Sequence, residues 1–127
     1  MKTTDCVFCD KLQKSAFAEN KLAYANWCEF PVGKGHALIA TKRCFANYFD
    51  ATDKEKSAIW ELVDQAKKII DAEYKPCAYN IGINCGEDAG QTVFHVHVHL
   101  IPRYKGDMAD PRGGVRGVIP EKQNWQK

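Results

Sequence analysis

Residues 94–103, "FHVHVHLIPR", decide the fold class. Apolar residues alternate here with histidines, and a period of two is typical of a β-strand with one buried face. Phe94, Val96, Val98 and Leu100 are expected on the buried face, and His95, His97 and His99 on the other. The chain has four histidines in all, so three of them in one row indicate chemistry more than packing.

The spacing of this histidine row bears on what it can do. At about 3.3 Å per residue, His95 and His97 lie about 6.7 Å apart, and His95 and His99 about 13 Å apart. Three such side chains could ligate one ion only if the strand were distorted, so a simple three-histidine metal centre is disfavoured. Three purely structural histidines would form a costly polar row. Imidazoles instead suit a nucleophile flanked by groups that bind or protonate a charged substrate.

Further strands and turns are predicted on both sides of the row. The stretches "KLAYANW" (21–27) and "GHALIAT" (35–41) read as antiparallel strands joined by a glycine-containing loop. In "CAYNIGIN" (77–84), Tyr79, Ile81 and Ile83 alternate with polar residues and glycine, which predicts a strand with one buried face. "CVFCDKLQ" (6–13) predicts a short helix, and "CGEDAGQ" (85–91) a turn.

One long helix is predicted after Thr52. Thr52 and Glu55 have the spacing of a capping box, and Pro76 lies shortly beyond the expected end. The residues on its apolar face are Ile59, Leu62, Val63, Ala66, Ile69 and Ile70.

Composition limits the class of protein. A chain of 127 residues with 45% hydrophobic content predicts one domain, 1–127, with an irregular Gly/Pro/Arg-rich arm over about 104–127. A net charge of +2 and the lack of any apolar run of about 18 residues favour neither nucleic-acid nor membrane binding. Without a signal-like segment at the N-terminus we expect a cytoplasmic protein, whose six cysteines are free thiols or metal ligands.

The stretch "GQTVFHVHVHLIPR" resembles the His-x-His-x-His signature of the histidine triad (HIT) family of nucleotide hydrolases and transferases. The resemblance extends to "CVFC", "PVGKGHALIAT" and "NIGINCGEDAGQT", and the tail "PRGGVRGVIP" is similar to that of bacterial diadenosine polyphosphate hydrolases. It implies an α+β fold, an antiparallel sheet of about five strands with one long and one short helix. It also implies a two-fold dimer formed through the long helix and a sheet edge.

The resemblance further implies a mechanism. His97 is the expected nucleophile: it forms a nucleotidyl-histidine with the α-phosphorus of a dinucleoside polyphosphate, and water then releases a nucleoside monophosphate. His99 and His36 are expected to bind the phosphate, and no catalytic cofactor is implied. The expected substrate-binding residues are Asn84, Gln91 and Thr92, the last two with backbone donors for an anion.

Three arginines flank the row in sequence and add to this expectation. Guanidinium groups bind phosphate oxygens well, so these side chains favour a substrate with a polyphosphate chain. They are Arg103, Arg112 and Arg116.

A structural zinc site is implied as well. Many bacterial HIT proteins hold zinc with an N-terminal Cys-x-x-Cys, a histidine after the Gly-His strand and the first triad histidine. The matching residues here are Cys6, Cys9, Cys44 and His95, with a cysteine in place of the second ligand. Three thiolates and one imidazole form a tetrahedral set that zinc accepts, although a redox-active Cys-x-x-Cys pair is the alternative.

One position departs from the family pattern. The residue eight positions before His36, where an Asp or Asn binds the ribose diol, is Cys28, and a thiol is a poor partner for a diol. Asn26 or Glu29 would replace it only after a shift of register. Cys28 keeps open a nucleotide-binding or zinc-stabilised interaction protein with little turnover. Two further alternatives are a nucleoside phosphoramidase, which would use the same histidines, and a metal-dependent hydrolase that uses His95, His97 and His36.

Overall fold

A computed structural model describes residues 6–126, so the two ends of the predicted 1–127 domain lie outside the described residues. The fold is a five-stranded antiparallel sheet in the order β1-β2-β3-β5-β4 with one long and one short helix, which confirms the predicted α+β class. The strands are β1 (Ala18–Glu19), β2 (Ala23–Trp27), β3 (Ala37–Thr41), β4 (Ala78–Gly82) and β5 (His97–Arg103). The helices are α1 (Lys11–Lys14) and α2 (Asp53–Tyr74).

Helix α2 begins at the predicted capping box and covers one face of the sheet. The Thr52 hydroxyl accepts from the Glu55 backbone N–H at 3.1 Å, and the Glu55 carboxylate accepts from the Thr52 N–H at 2.9 Å. The apolar stripe of α2 packs against alternate residues of the central strands. The main core cluster consists of Ala23, Ala25, Ala37, Ile39, Ala58, Ile59, Leu62, Val63, Ala66, Ile70, Val98 and Leu100.

The other face of the sheet is covered by the N-terminal segment. A 3-10 turn at Val7–Cys9 and the short helix α1 pack there on alternate residues of β2 and β3. This smaller cluster consists of Phe8, Leu12, Tyr24, Leu38 and Ala40. Because the sheet pairs Leu38 with His99 and Ala40 with His97, the histidine row lies on this second face, opposite α2.

Strand β5 starts later than the alternation predicts. Val96, Val98 and Leu100 are buried as expected, but Phe94 is 53% exposed, so its predicted place on the buried face is wrong. The reason is the partner strand: β3 ends at Thr41, and the last β3–β5 pair is Ala40 with His97. Before that point the chain leaves the sheet, and the Val96 N–H donates instead to the Phe45 carbonyl at 2.8 Å.

Strand β4 forms at the predicted place but lies at an edge of the sheet, paired with β5. Tyr79 and Ile83 pack against the main core, whereas Ile81, predicted on the same buried face, is 42% exposed. The C-terminal arm is mostly irregular, as predicted, with short 3-10 turns at Gly114–Val118 and Pro120–Lys122. Within residues 6–126, no helix combines the length and the apolar character that crossing a membrane requires.

Candidate active site

Three of the four histidines form a contiguous group on the sheet face opposite α2. His97 and His99 come from β5, and their ring centroids are 5.1 Å apart. His36 reaches the group from the residue before β3, with its ring centroid 5.2 Å from that of His99. The fourth, His95, lies before the start of β5 and its ring faces a cysteine cluster.

Hydrogen bonding fixes the tautomer of His97. Its Nδ1 lies 2.7 Å from the backbone carbonyl oxygen of His95, and because a carbonyl can only accept, Nδ1 carries the proton. Burial lowers the pKa of His97, so the ring is neutral near pH 7. A neutral imidazole protonated on Nδ1 has its lone pair on Nε2. That nitrogen is therefore the one available for nucleophilic attack.

A chain of hydrogen bonds fixes the tautomers of His36 and His99. The backbone N–H of Val32 donates to His36 Nδ1 at 3.0 Å, so a neutral His36 carries its proton on Nε2. This N–H donates to His99 Nδ1 at 3.0 Å, which leaves the proton of a neutral His99 on its Nε2. Burial, followed by the charges of His97 and His36, lowers the pKa of His99 to about 4. The site thus combines a lone pair on His97 with an N–H donor on His99, on rings whose centroids are 5.1 Å apart.

A cavity of about 830 Å³ opens beside His36 and His99, and His97 is not in its lining. His36, His99 and the predicted substrate-binding residue Asn84 line it, together with Cys28. The charged residues in its lining are Arg103 and Asp107, and much of the rest is apolar. The apolar side chains are Phe30, Val32, Ile81, Ile101, Met108, Val115 and Val118. A ligand in this cavity would therefore meet a mainly uncharged wall.

The three predicted phosphate-binding arginines are engaged with other groups. Arg103 lines the cavity but donates to both carboxylate oxygens of Asp107, at 2.9 and 2.8 Å, and to the Asn80 side chain at 2.7 Å. Among the residues that the structure describes around the cavity, Arg112 and Arg116 are absent. Arg112 pairs with Asp110 at 3.0 Å, and Arg116 donates to the Lys122 carbonyl at 3.2 Å.

Gln91 has a structural position in the loop that precedes the row. Its buried side chain accepts from the Gly86 N–H at 2.9 Å and donates to the carbonyls of Ala46 and Val93, at 2.8 and 3.2 Å. The Gln91 backbone N–H also donates within the loop, to the Gly86 carbonyl at 3.1 Å. Thr92 is exposed directly after it. Of this pair, Thr92 is the exposed residue, and neither residue is in the lining of the cavity.

Neither Asn26 nor Glu29 is free to replace Cys28 at the predicted ribose-binding position. Asn26 is buried, and its amide donates to the Leu12 carbonyl at 2.9 Å and to the Ser15 hydroxyl at 2.7 Å. Glu29 pairs with Lys11 at 2.9 Å. Cys28 itself lines the cavity. The departure seen in the sequence is therefore also a feature of the site.

Cys6, Cys9, Cys44 and His95 form a candidate metal centre. Their four ligand atoms all lie within 4.8 Å of one another. His95 Nδ1 is 3.3 Å from the Cys6 sulfur and 3.4 Å from the Cys9 sulfur. Zn–S bonds of about 2.3 Å and Zn–N bonds of about 2.0 Å in a tetrahedron would place sulfur and nitrogen about 3.5 Å apart.

The surroundings of His95 also suit a metal ligand. The ring is fully buried, and its Nε2 lies 2.7 Å from the Thr41 carbonyl oxygen, so Nε2 donates and Nδ1 is left for an ion. Burial, with the Cys44 and Cys6 thiols as further causes, raises the pKa of Cys9 to about 12. A divalent cation would reverse this trend by binding thiolates. The four residues can hold a metal ion, and their chemistry is compatible with zinc.

The fold and the histidine group together define an α+β protein with three histidines clustered on one face of its sheet. The chain belongs to the HIT family, because the "HIT domain" family model matches residues 10–106. A HIT-like protein of Mycoplasma genitalium, itself uncharacterised, is 36% identical over 107 residues, which are 81% of this chain and 76% of the relative. An asymmetrical bis(5'-nucleosyl)-tetraphosphatase of Schizosaccharomyces pombe is 38% identical over 94 residues, 74% of this chain and 52% of that protein.

Solved structures share the fold. A HIT family protein from Bacillus anthracis has a TM-score of 0.76 at 35% identity, covering 84% of this chain and 78% of its own. A zinc-bound histidine triad family protein from Mycobacterium smegmatis has a TM-score of 0.74 at 25% identity, covering 84% and 80%.

Proposed function

We propose that the protein is a nucleotide hydrolase that cleaves the α-phosphate linkage of a dinucleoside polyphosphate and releases a nucleoside monophosphate. The observation that carries the proposal is the pairing of an unprotonated Nε2 on His97 with an N–H donor on His99, 5.1 Å away between ring centroids. Among the relatives in the HIT family is the tetraphosphatase of Schizosaccharomyces pombe, which supports a dinucleoside polyphosphate as substrate.

In the first step, His97 Nε2 forms a bond to the α-phosphorus while the bond from phosphorus to the bridging oxygen breaks. The positive charge that this places on the His97 ring is shared with the His95 carbonyl, which already accepts from Nδ1 at 2.7 Å. His99 donates a hydrogen bond from Nε2 to the departing oxygen. His36 keeps His99 in the donor tautomer through the 3.0 Å bond between them.

In the second step, water attacks the nucleotidylated phosphorus and the P–N bond breaks, which returns the lone pair to His97. The water gives its proton to solvent or to the phosphate, and a nucleoside monophosphate leaves. The first step suits a phosphoanhydride because its leaving group departs as a stable phosphate anion. A neutral His99 supplies a hydrogen bond for that departure and need not lose its proton.

The test is a chromatographic turnover assay on diadenosine tri- and tetraphosphate and on an adenosine phosphoramidate, comparing the wild type with His97→Ala. We expect His97→Ala to lower kcat by at least about a thousandfold, because no other described nitrogen is placed to replace the nucleophile. Nucleotide binding is measured in parallel by calorimetry. A variant that binds and turns over nucleotide as the wild type does would refute the role of His97.

Nucleoside phosphoramidate hydrolysis is the second candidate, and the cavity favours it. Arg103 is neutralised by Asp107, and the remaining lining is mainly apolar, so an uncharged leaving group fits there better than a polyphosphate chain. This reaction would require a proton for the departing amine. Faster turnover of the phosphoramidate than of either diadenosine polyphosphate would select it.

We also propose that zinc occupies the Cys6, Cys9, Cys44 and His95 centre in a structural role. The geometry disfavours a metal-dependent hydrolase in which His95, His97 and His36 bind one catalytic ion. His95 Nδ1 faces the cysteine sulfurs, whereas His36 Nε2 is bonded to His99. When bound, the ion would fix the N-terminal segment to the sheet. In this proposal the ion takes no part in the reaction, which uses the histidine side chains. A cytoplasmic location stays a prediction.

A further inference from the structure

The turn that carries two metal-binding cysteines also carries an aromatic ring against the proposed nucleophile. Phe8 lies between Cys6 and Cys9 and is 3% exposed. Its ring is stacked on that of His97, with centroids 4.7 Å apart and planes inclined by 19°. Phe8 therefore does more than fill the smaller core, because one face of the His97 ring rests on it.

The backbone around Phe8 is held at several points. The Tyr24 hydroxyl donates to the Phe8 carbonyl at 2.5 Å, and the Cys9 N–H donates to the Cys6 carbonyl at 3.0 Å. A metal ion bound by both cysteines would fix the same turn from its other side. Phe8 thus has little freedom to move away from His97.

The hydrogen bond from His97 Nδ1 to the His95 carbonyl holds the ring at one atom of its edge. The stacked Phe8 ring adds a contact across one face of the imidazole, and this contact opposes tilting of the ring plane. The Phe8 ring also interacts with charge, because the nucleotidylated His97 ring is cationic, and a cation over the face of a phenyl ring is stabilised. The stabilisation grows as the bond to phosphorus forms, so it acts on the transition state more than on the bound substrate.

We propose that Phe8 is a positioning residue for His97. Its ring, anchored by the metal-binding turn, keeps Nε2 directed at the α-phosphorus and stabilises the charge that develops on the imidazole. This inference rests on the proposed role of His97 as nucleophile, but not on which nucleotide is the substrate.

The first experiment compares Phe8→Leu with Leu12→Met. Both residues are buried in the same smaller cluster, but Leu12 has no ring to stack on His97. We expect Phe8→Leu to lower kcat by about tenfold with KM changed less than about twofold, and Leu12→Met to change neither. Zinc content and the thermal midpoint are measured for each variant, and Phe8→Met replaces Phe8→Leu if the latter does not fold. A folded, metal-replete Phe8 variant with wild-type kcat would overturn the proposal.

The second experiment does not depend on turnover. In the wild type, the carbon-bound ring protons of His97 should be shifted upfield in NMR spectra by the Phe8 ring, and His97→Ala identifies their signals among the four histidines. We expect the shift to disappear in Phe8→Leu or Phe8→Met and to remain in Leu12→Met. If no substrate is turned over but the shift behaves in this way, the proposed function fails while the positioning contact stands. Unchanged His97 signals in a folded Phe8 variant would refute the contact itself.

Discussion

His99 makes stability depend on pH, because its half-buried ring resists protonation. Burial and the charges of His97 and His36 lower its pKa to about 4, whereas an unfolded histidine titrates near 6.5. Between these values the unfolded chain binds the proton more readily, so the free energy of unfolding is at its full value above about pH 6.5 and falls as the pH drops towards about 4.

Replacing His99 with glutamine should remove this contribution. We expect the loss of unfolding free energy between pH 7 and pH 5 to be smaller in His99→Gln than in the wild type by about 1–2 kcal/mol. Urea denaturation at both pH values measures it. The comparison includes the coupling of His99 to His97 and His36, whereas the candidate metal centre is the same in the two proteins and its titration cancels. Equal pH dependence in both would show that His99 titrates normally in the folded state.

At this scale the sequence predicted residue types better than residue partners. The alternation in "FHVHVHL" placed His97 and His99 on one strand face, which the structure bears out. It gave no information on tautomers, since these depend on the backbone atoms of Val32 and His95, which only the fold brings to the rings. Arg103 was predicted to bind phosphate, and Asp107 four residues on is the signal in the sequence for the ion pair that Arg103 makes.

Gly35 shows how helix α2 limits the residue before His36. Its φ of +82° favours glycine, and an added Cβ would lie 2.8 Å from a Tyr74 ring carbon and 3.2 Å from an Ile70 methyl carbon, both on α2. Gly106 offers a matched control, because its φ is +81° but nothing lies within 4 Å of its added Cβ. The two positions share the cost of the left-handed backbone and differ in the clash.

We expect Gly106→Ala to lower the free energy of unfolding by about 1 kcal/mol, from the backbone alone. Gly35→Ala should cost about 1–3 kcal/mol more, because it forces apart the loop and the helix in a packed region. Denaturant unfolding of both variants measures the difference. Turnover should fall as well in Gly35→Ala, since His36 follows directly. Equal destabilisation of the two variants would contradict a close contact between this loop and α2.

Elements were predictable where one local rule was sufficient. The capping box and the apolar stripe are local, and they gave both the start and the buried face of α2. The start of β5 was not predictable from a local rule. It depends on the end of β3 at Thr41, more than fifty residues earlier in the chain. The exposure of Ile81 likewise follows from the place of β4 at the sheet edge. An alternating pattern in the sequence predicts a strand but not its position in the sheet.

The candidate metal centre joins parts of the molecule that are distant in sequence. Cys6 and Cys9 come from the N-terminal turn, Cys44 follows β3 and His95 precedes β5. An ion bound only by the folded state stabilises that state by mass action, by about 4 kcal/mol at a thousand times the Kd. We expect about one zinc per chain, and a Tm lower by about 10 °C after chelation or in Cys44→Ser.

Cys77→Ser is the control for that experiment, because the Cys77 thiol is exposed and lies outside the centre. It should keep both the zinc and the Tm. Turnover after addition of a chelator should decline only as the protein unfolds. Immediate loss of turnover in protein that is still folded would favour the metal-dependent hydrolase.

β4 lies at the end of the sheet, with β5 as its one strand partner among the described residues, and Ile81 on this strand is 42% exposed. An edge strand of this kind can pair with a second copy of the chain. The HIT family resemblance implies a two-fold dimer through the helix and this kind of edge. We therefore expect sedimentation equilibrium to give twice the chain mass of 14.3 kDa. Ile81→Lys should shift it to the monomer, because a charge at the pairing edge opposes association.

The control for the edge is Phe49→Lys, which adds the same charge at an exposed apolar residue in the Tyr48–Asp50 turn, away from β4. It should remain a dimer if β4 is the interface. Because Ile81 also lines the cavity beside His99, pairing at this edge would bring the second copy next to the leaving-group side of the site. Ile81→Lys should then lower both the turnover rate and the mass measured by sedimentation equilibrium. A wild type that sediments as a monomer would contradict the dimer. A dimer that persists in Ile81→Lys would place the interface elsewhere.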